Sequence, residues 1–263
     1  MARKEVEKGK WDKVLSQIDE AKLITICRNL IKIPSYLGQE EAVADYVAGE
    51  LRDIGARITE IPVSSEDSAR RRSVLGTLRG DGTGKSLFCT AHMDTFHPVD
   101  GQLYPHDGMI EDGKIYGVGM GDNLDDLAAF IAAMDTIKRS GVQLRGDLTV
   151  CGTADELGTK RGAKAILDSG FKADMCLFGD TATTPLHATR CNVGKVEAEI
   201  RTSGASDFPL AAVGERFHFK TVNAVASMIK LIGYLYKMAE EEPYFHRRTP
   251  CYQEREPPST SAR

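Results

Sequence analysis

The sequence predicts an α/β fold, a layered mixed sheet with helices on both faces, followed by part of a smaller α+β domain. Three observations carry this reading. Apolar segments with strand and helix periodicity alternate from residue 12 to residue 180. Glycine turns punctuate them at Gly55, Gly80–Gly84 and Gly117–Gly121. After about residue 190 the rhythm changes to one alternating segment and one long amphipathic helix.

Residues 12–32 carry a helical rhythm through Val14, Leu15, Ile18, Leu23, Ile24 and Leu30, which Ile33-Pro34-Ser35 stops. A second helix, about Glu40 to Ile54, places Val43, Tyr46, Val47 and Leu51 on one face and ends at Gly55. Ala56–Pro62 and Ser73–Arg79 read as strands, and Ser86–Thr90 as a buried strand running into His92. Residues 97–120 are polar and glycine-containing, with a short strand at Ile115–Gly117. The helix over Leu124–Ser140 buries Leu127, Phe130, Ile131 and Met134. Then come a strand at Asp147–Gly152, a helix at Lys160–Asp168 and a strand at Met175–Phe178. Val193–Ser203 alternates like a half-exposed strand, and Asn223–Met238 is an amphipathic helix. The expected organisation is a catalytic domain over residues 1–190, a partial smaller domain over 191–239 and an unstructured polar tail over 240–263.

Composition narrows the class. A chain that is 41% hydrophobic and 27% charged suits a globular protein with a sizeable core. A net charge of -4 without a basic stripe argues against nucleic acid as a partner. No apolar run is long enough to span a bilayer, and the charged N-terminus lacks the apolar centre of a secretory signal. The expectation is a cytoplasmic protein with no membrane partner. Its six cysteines include no C-x-x-C pair, and Cys89, Cys151 and Cys176 fall in segments read as buried strands. Reduced core thiols are expected.

Acidic residues and one histidine fall where these strands end. His92-Met93-Asp94 closes one apolar segment, Asp122 follows a glycine-rich loop, Asp155-Glu156 follows the next strand, and Asp180 the last. In α/β sheets, ligands sit beyond the carboxyl ends of the strands. One imidazole and several carboxylates delivered there suit one or two divalent cations. Within His92-Met93-Asp94, a two-residue spacing in extended chain would turn both polar side chains the same way, with the carboxylate orienting the ring. Each residue also has a plainer reading. His92 can be a satisfied buried histidine, Asp122 a helix cap, Asp155-Glu156 surface charge and Asp180 a turn residue.

Taken as an ordered set, Ile33-Pro34-Ser35, His92-Met93-Asp94-Thr95, Tyr116–Asp122, Asp155-Glu156-Leu157-Gly158 and Asp180 resemble the zinc-dependent M20 peptidase family. The resemblance covers about residues 20–238. It implies a zinc-peptidase-like fold and hydrolysis of an amide bond in an N-acyl amino acid or small peptide. It implies two Zn2+ sites, with Co2+ or Mn2+ as alternatives, and a homodimer formed through the smaller domain. His92 and Asp180 would ligate the first metal, Asp122 would bridge both, and Glu156 would ligate the second. Asp94 would orient His92, and Asp155 would be the general base.

The chain departs from the family pattern at several points. Asp155 stands where the base is usually Glu, Val118 where Arg is common and Leu124 where Lys is common. Phe208 stands where a histidine often occurs, His218 fits the spacing poorly, and His246 lies in the polar tail. No counterpart of the family's final histidine ligand is present. The chain is therefore expected to be C-terminally truncated relative to the family. The alternative to an active hydrolase is a catalytically silent member that keeps only metal or partner binding.

Overall fold

A computed structural model of the 263-residue chain describes residues 9, 11–63, 70–180, 199–204 and 224–241. It divides into two compact units, Met1–Leu186 and His187–Arg263. Helix α1 spans Glu20–Lys32 and α2 spans Glu41–Asp53; strands β1 (Arg57–Pro62), β2 (Arg72–Leu78) and β3 (Leu87–His92) follow. A small hairpin pairs β4 (Met109–Glu111) with β5 (Lys114–Tyr116). Then come α3 (Leu124–Ser140), β6 (Leu148–Thr153), α4 (Arg161–Asp168) and β7 (Met175–Phe178).

The five-stranded sheet has the order β1-β2-β6-β3-β7. Its β1–β2 and β2–β6 pairs are antiparallel, whereas β3 runs parallel to both β6 and β7. The predicted mixed sheet is present. The register sets His92 opposite Thr153 and Thr90 opposite Phe178. The carboxyl ends of β3, β6 and β7 therefore open on one edge of the sheet.

Alternation along the strands sorts side chains into two cores. Val74, Cys89, Ala91 and Val150 pack with Leu30 of α1, Val47 of α2 and Leu127 and Ile131 of α3. On the opposite face Leu75 and Cys151 pack with Ile166 of α4, and the Phe88 and Phe171 rings lie 4.9 Å apart between centroids. Helices thus cover both faces, as the sequence predicts.

Three expectations change. The rhythm over residues 12–32 is not one helix: residues 11–15 are helical, and α1 starts anew after Asp19, whose carboxylate accepts the Lys22 N–H at 3.0 Å. An aspartate placed to cap is a stronger local signal than the apolar spacing that runs through it. Strand β4 was hidden in the polar stretch because three residues are too few to show a period. Cys176 is exposed rather than core, since β7 is the last strand of the sheet order and all its residues are exposed. Cys27, Cys89 and Cys151 are free and buried, as expected.

In the second unit, α5 spans Ala224–Glu241, and the Thr202 hydroxyl donates to the Ala224 carbonyl at 3.0 Å. Of the strand expected over Val193–Ser203, residues 199–203 carry no strand and 193–198 lie outside the described residues. Phe208, His218, His246, Cys191, Cys251 and the tail beyond residue 241 also lie outside them. Among the described residues no helix is long and apolar enough to cross a membrane.

Candidate functional site

His92 is the last residue of β3 and is 1% exposed. Its backbone N–H donates to the Asn123 side-chain oxygen at 2.9 Å, and the Asn123 amide donates to the Gly179 carbonyl at 2.6 Å. Asn123 thereby ties the start of α3 to the ends of β3 and β7. Sequence reading missed this residue. Its one signal was a polar side chain between the Asp122 loop and an apolar helix face.

Both nitrogens of the His92 ring face oxygen. Nδ1 lies 2.8 Å from the Asp94 backbone carbonyl, which can only accept, so Nδ1 carries the proton. Nε2 faces Asp122 Oδ1 at 3.0 Å and Glu156 Oε2 at 3.9 Å. A neutral imidazole has one N–H to give, and here it is already given. The Nε2 lone pair then meets carboxylate oxygen, a contact that becomes favourable with a cation or a second proton between them. In chemistry this donor set fits a divalent cation of the zinc type. Among the described residues, however, no group of three His, Cys, Asp or Glu side chains is closely gathered for a metal ion.

Asp94 is fully buried, but its carboxylate does not bond the ring. Its nearer oxygen is 3.8 Å from Nδ1, beyond hydrogen-bond reach. That is a correction to the expected geometry: the backbone carbonyl of Asp94 orients His92. The Asp94 carboxylate instead accepts the Glu156 N–H at 3.0 Å and the Leu157 N–H at 2.7 Å. Burial pushes its pKa up, opposed by those two N–H groups.

Asp155 and Glu156 are neighbours with opposite fates. Asp155 is 1% exposed and faces away from His92, into an ion pair with Arg71 at 2.8 Å. Its other oxygen accepts the Arg161 N–H at 3.0 Å and the Thr159 hydroxyl at 2.9 Å. Burial works against the charge, but the Arg161 and Thr159 donors and the Arg71 guanidinium outweigh it and hold the carboxyl at about 2. A carboxylate so fully engaged is a poor proton acceptor. Glu156 is partly buried, sends one oxygen toward His92 and pairs the other with Lys160.

Asp180 follows β7 just past Gly179, and its charge reaches Asp126 on the first turn of α3. Asp126 packs so closely that a Cβ added to Gly179 would lie 2.6 Å from its own Cβ. Burial, then Asp125 and Asp180, push the Asp126 carboxyl up to about 6 against the pull of His92. Asp126 is a second group that sequence reading missed, because it looks like an ordinary acidic first turn of a helix. The structure thus brings His92, Asp122 and Glu156 together, sets Asp94 and Asp155 behind them, and puts Asp180 at the end of the adjoining strand.

The profile described as peptidase family M20/M25/M40 matches residues 88–252, more than half of the 263-residue chain. A succinyl-diaminopimelate desuccinylase of Gluconacetobacter diazotrophicus is 30% identical over 171 residues, which is 62% of this chain and 43% of that protein. Carboxypeptidase G2 of a Pseudomonas species is 27% identical over 216 residues, 80% of this chain and 49% of that protein. The chain spans about half the length of the relatives it matches. Human carnosine dipeptidase 1 superposes with a TM-score of 0.57 at 20% identity, over 65% of this chain and 41% of that one. A Staphylococcus aureus tripeptidase gives 0.53 at 22% identity, over 64% and 45%. At these identities the structures speak for the fold alone. With the family profile matched over more than half of its length, the chain belongs to peptidase family M20/M25/M40.

Proposed function

We propose that this chain carries the metal-binding half of an amide-cleaving hydrolase acting on an N-acyl amino acid or a short peptide. The observation that supports this is the His92 ring, whose Nδ1 is committed to a carbonyl while Nε2 faces Asp122 and Glu156. In this reading His92, Asp122 and Asp180 hold the cation, Zn2+ or in its place Co2+ or Mn2+. When bound, such an ion polarises the scissile carbonyl and makes a water molecule more acidic. The Asp94 carbonyl keeps His92 in the tautomer that leaves Nε2 free. The general base is Glu156 rather than Asp155. Its free oxygen faces the His92–Asp122 pair, where it can take a proton from the attacking water and return it to the departing amine.

A catalytically silent member of the family is the second reading. It is favoured by the Lys160–Glu156 pair, which occupies one oxygen of the base, and by the lack of a closely gathered ligand trio among the described residues. One experiment separates the two. The chain is loaded with Zn2+, its metal content is measured, and amine release from N-succinyl and N-acetyl amino acids and from dipeptides is followed. The hydrolase reading expects release that stops with chelator and in His92→Ala. Stoichiometric zinc without release, or no metal uptake at all, overturns the hydrolase reading and selects the silent member.

A further inference from the structure

We infer that Arg71 and Glu40 are positioning residues, which set Glu156 against His92 through the buried carboxylate of Asp155. The inference rests on the place given to Glu156 in the proposed site.

The Arg71 side chain is 4% exposed and forks. Nε donates to Glu40 Oε2 at 2.8 Å, and Nη2 donates to Glu40 Oε1 at 2.5 Å and to Asp155 Oδ1 at 2.8 Å. Glu40, fully buried just before α2, also accepts the Asp155 N–H at 3.3 Å. Asp155 Oδ2 then gathers the Thr159 hydroxyl and the Arg161 N–H, so the chain from 155 to 161 folds around one carboxylate.

If this network served only to neutralise buried charge, Arg71 and Glu40 would suffice as a one-to-one pair. Asp155 adds a second buried anion, which takes a second guanidinium at its other oxygen (Arg161 Nε at 3.2 Å), and it sits at φ 60°, a left-handed conformation that costs a non-glycine residue energy. What that cost brings about is a reversal of direction. Strand β6 ends, Asp155 turns inward to Arg71, and the next residue turns out toward Nε2 of His92. From the other side, the Asp94 carboxylate takes the N–H groups of Glu156 and Leu157. Glu156 is therefore held by its backbone between two buried carboxylates, and Arg71 anchors the rear one. A lysine at position 71 brings one charge on a single nitrogen, so it cannot place donors at both the Nε and the Nη2 positions that Glu40 and Asp155 share.

The test is amide hydrogen exchange of the full metal-free chain, alongside calorimetric titration with Co2+. Two variants are compared, Arg71→Lys and Thr159→Ala. The second trims an exposed residue, so it keeps the test alive should Arg71→Lys fail to fold. The expected result is exchange at Glu156 and Leu157 faster by about tenfold in Arg71→Lys and less so in Thr159→Ala, with Val150 and Cys151 of β6 unchanged. Because Glu156 is the base of the proposed site and not a ligand, amine release by the Co2+-loaded chain falls by about tenfold in Arg71→Lys while its Co2+ affinity is kept, the usual scale for a group that acts through another's support. Unchanged exchange at Glu156 and Leu157, or equal acceleration in β6, overturns the inference. So does unaltered amine release in a variant whose parent is active. A parent chain that binds no Co2+ sinks the hydrolase reading instead, and the exchange pattern still decides the positioning role.

Discussion

Asp155 and Glu156 differ by one methylene and one position, yet their environments give them opposite work. Asp155 is a structural anion held at about 2, while Glu156 sends an oxygen to the His92 ring. On the proposed role of Glu156 as base, Glu156→Gln is expected to leave the urea midpoint almost unmoved while lowering kcat by at least about 100-fold. Asp155→Asn should do the reverse in folding terms. It leaves Arg71 short of one buried partner and costs about 3 kcal/mol in urea unfolding at neutral pH. The pH dependence has a definite sign. The folded carboxyl titrates near 2 and the unfolded one near its ordinary value of about 3.9, so the contribution of Asp155 is complete above about pH 4 and is lost as pH falls toward 2. The parent chain should lose stability across that window more steeply than Asp155→Asn. Parallel slopes would show that the ion network contributes nothing to acid sensitivity. The sequence made both carboxylates candidates but could not divide them. What divides them is a buried guanidinium 84 positions away, Arg71, and no local pattern announces that contact.

Elements were legible in proportion to their length and their caps. The predicted bounds of α3, Leu124–Ser140, match because seventeen residues show a full apolar stripe and Gly141 closes it in the left-handed conformation. Strand β5 was read at Ile115–Gly117, but its partner β4 and the hairpin between them were missed, although the turn is written in the chain. Asp112 and Gly113 both have positive φ, at 49° and 72°, and Asp-Gly is a strong hairpin signal when flanked by apolar residues. What no local signal conveys is how closely two elements approach. Gly162, in the first turn of α4, has the Ala154 carbonyl oxygen 1.9 Å from where a Cβ would lie. That contact is backbone, so it cannot move aside like a flexible side chain. Gly162→Ala is expected to push α4 off the end of β6, costing about 2 kcal/mol or more by thermal unfolding despite alanine's better helix propensity. An unchanged or raised melting temperature would mean that the α4–β6 approach has slack.

At the scale of the whole first unit, the sheet order explains both where the site lies and where stability is concentrated. Strand β3 runs parallel to its two neighbours, so the ends of β3, β6 and β7 deliver His92, Asp155-Glu156 and Asp180 to one edge. That edge was legible, because a parallel arrangement follows from alternating helices and strands and puts ligands at the carboxyl ends. The order β1-β2-β6-β3-β7 was not, since pairing between β2 and β6 depends on contacts some seventy residues apart. The same order grades burial across the sheet: every residue of β6 is buried, and every residue of β7 is exposed. Removing apolar volume should therefore matter by position and not by residue type. Val150 is 1% exposed and packs in the main core between the sheet and α1–α3, so Val150→Ala loses its burial and leaves a gap that close-packed neighbours fill poorly. The expected cost is about 2 kcal/mol in urea unfolding. Leu177 on β7 is 49% exposed, and Leu177→Ala deletes more atoms yet should cost about 0.5 kcal/mol or less. Equal losses at the two positions would mean that β7 is covered in the folded protein in solution, and that the edge strand takes a full share in the core.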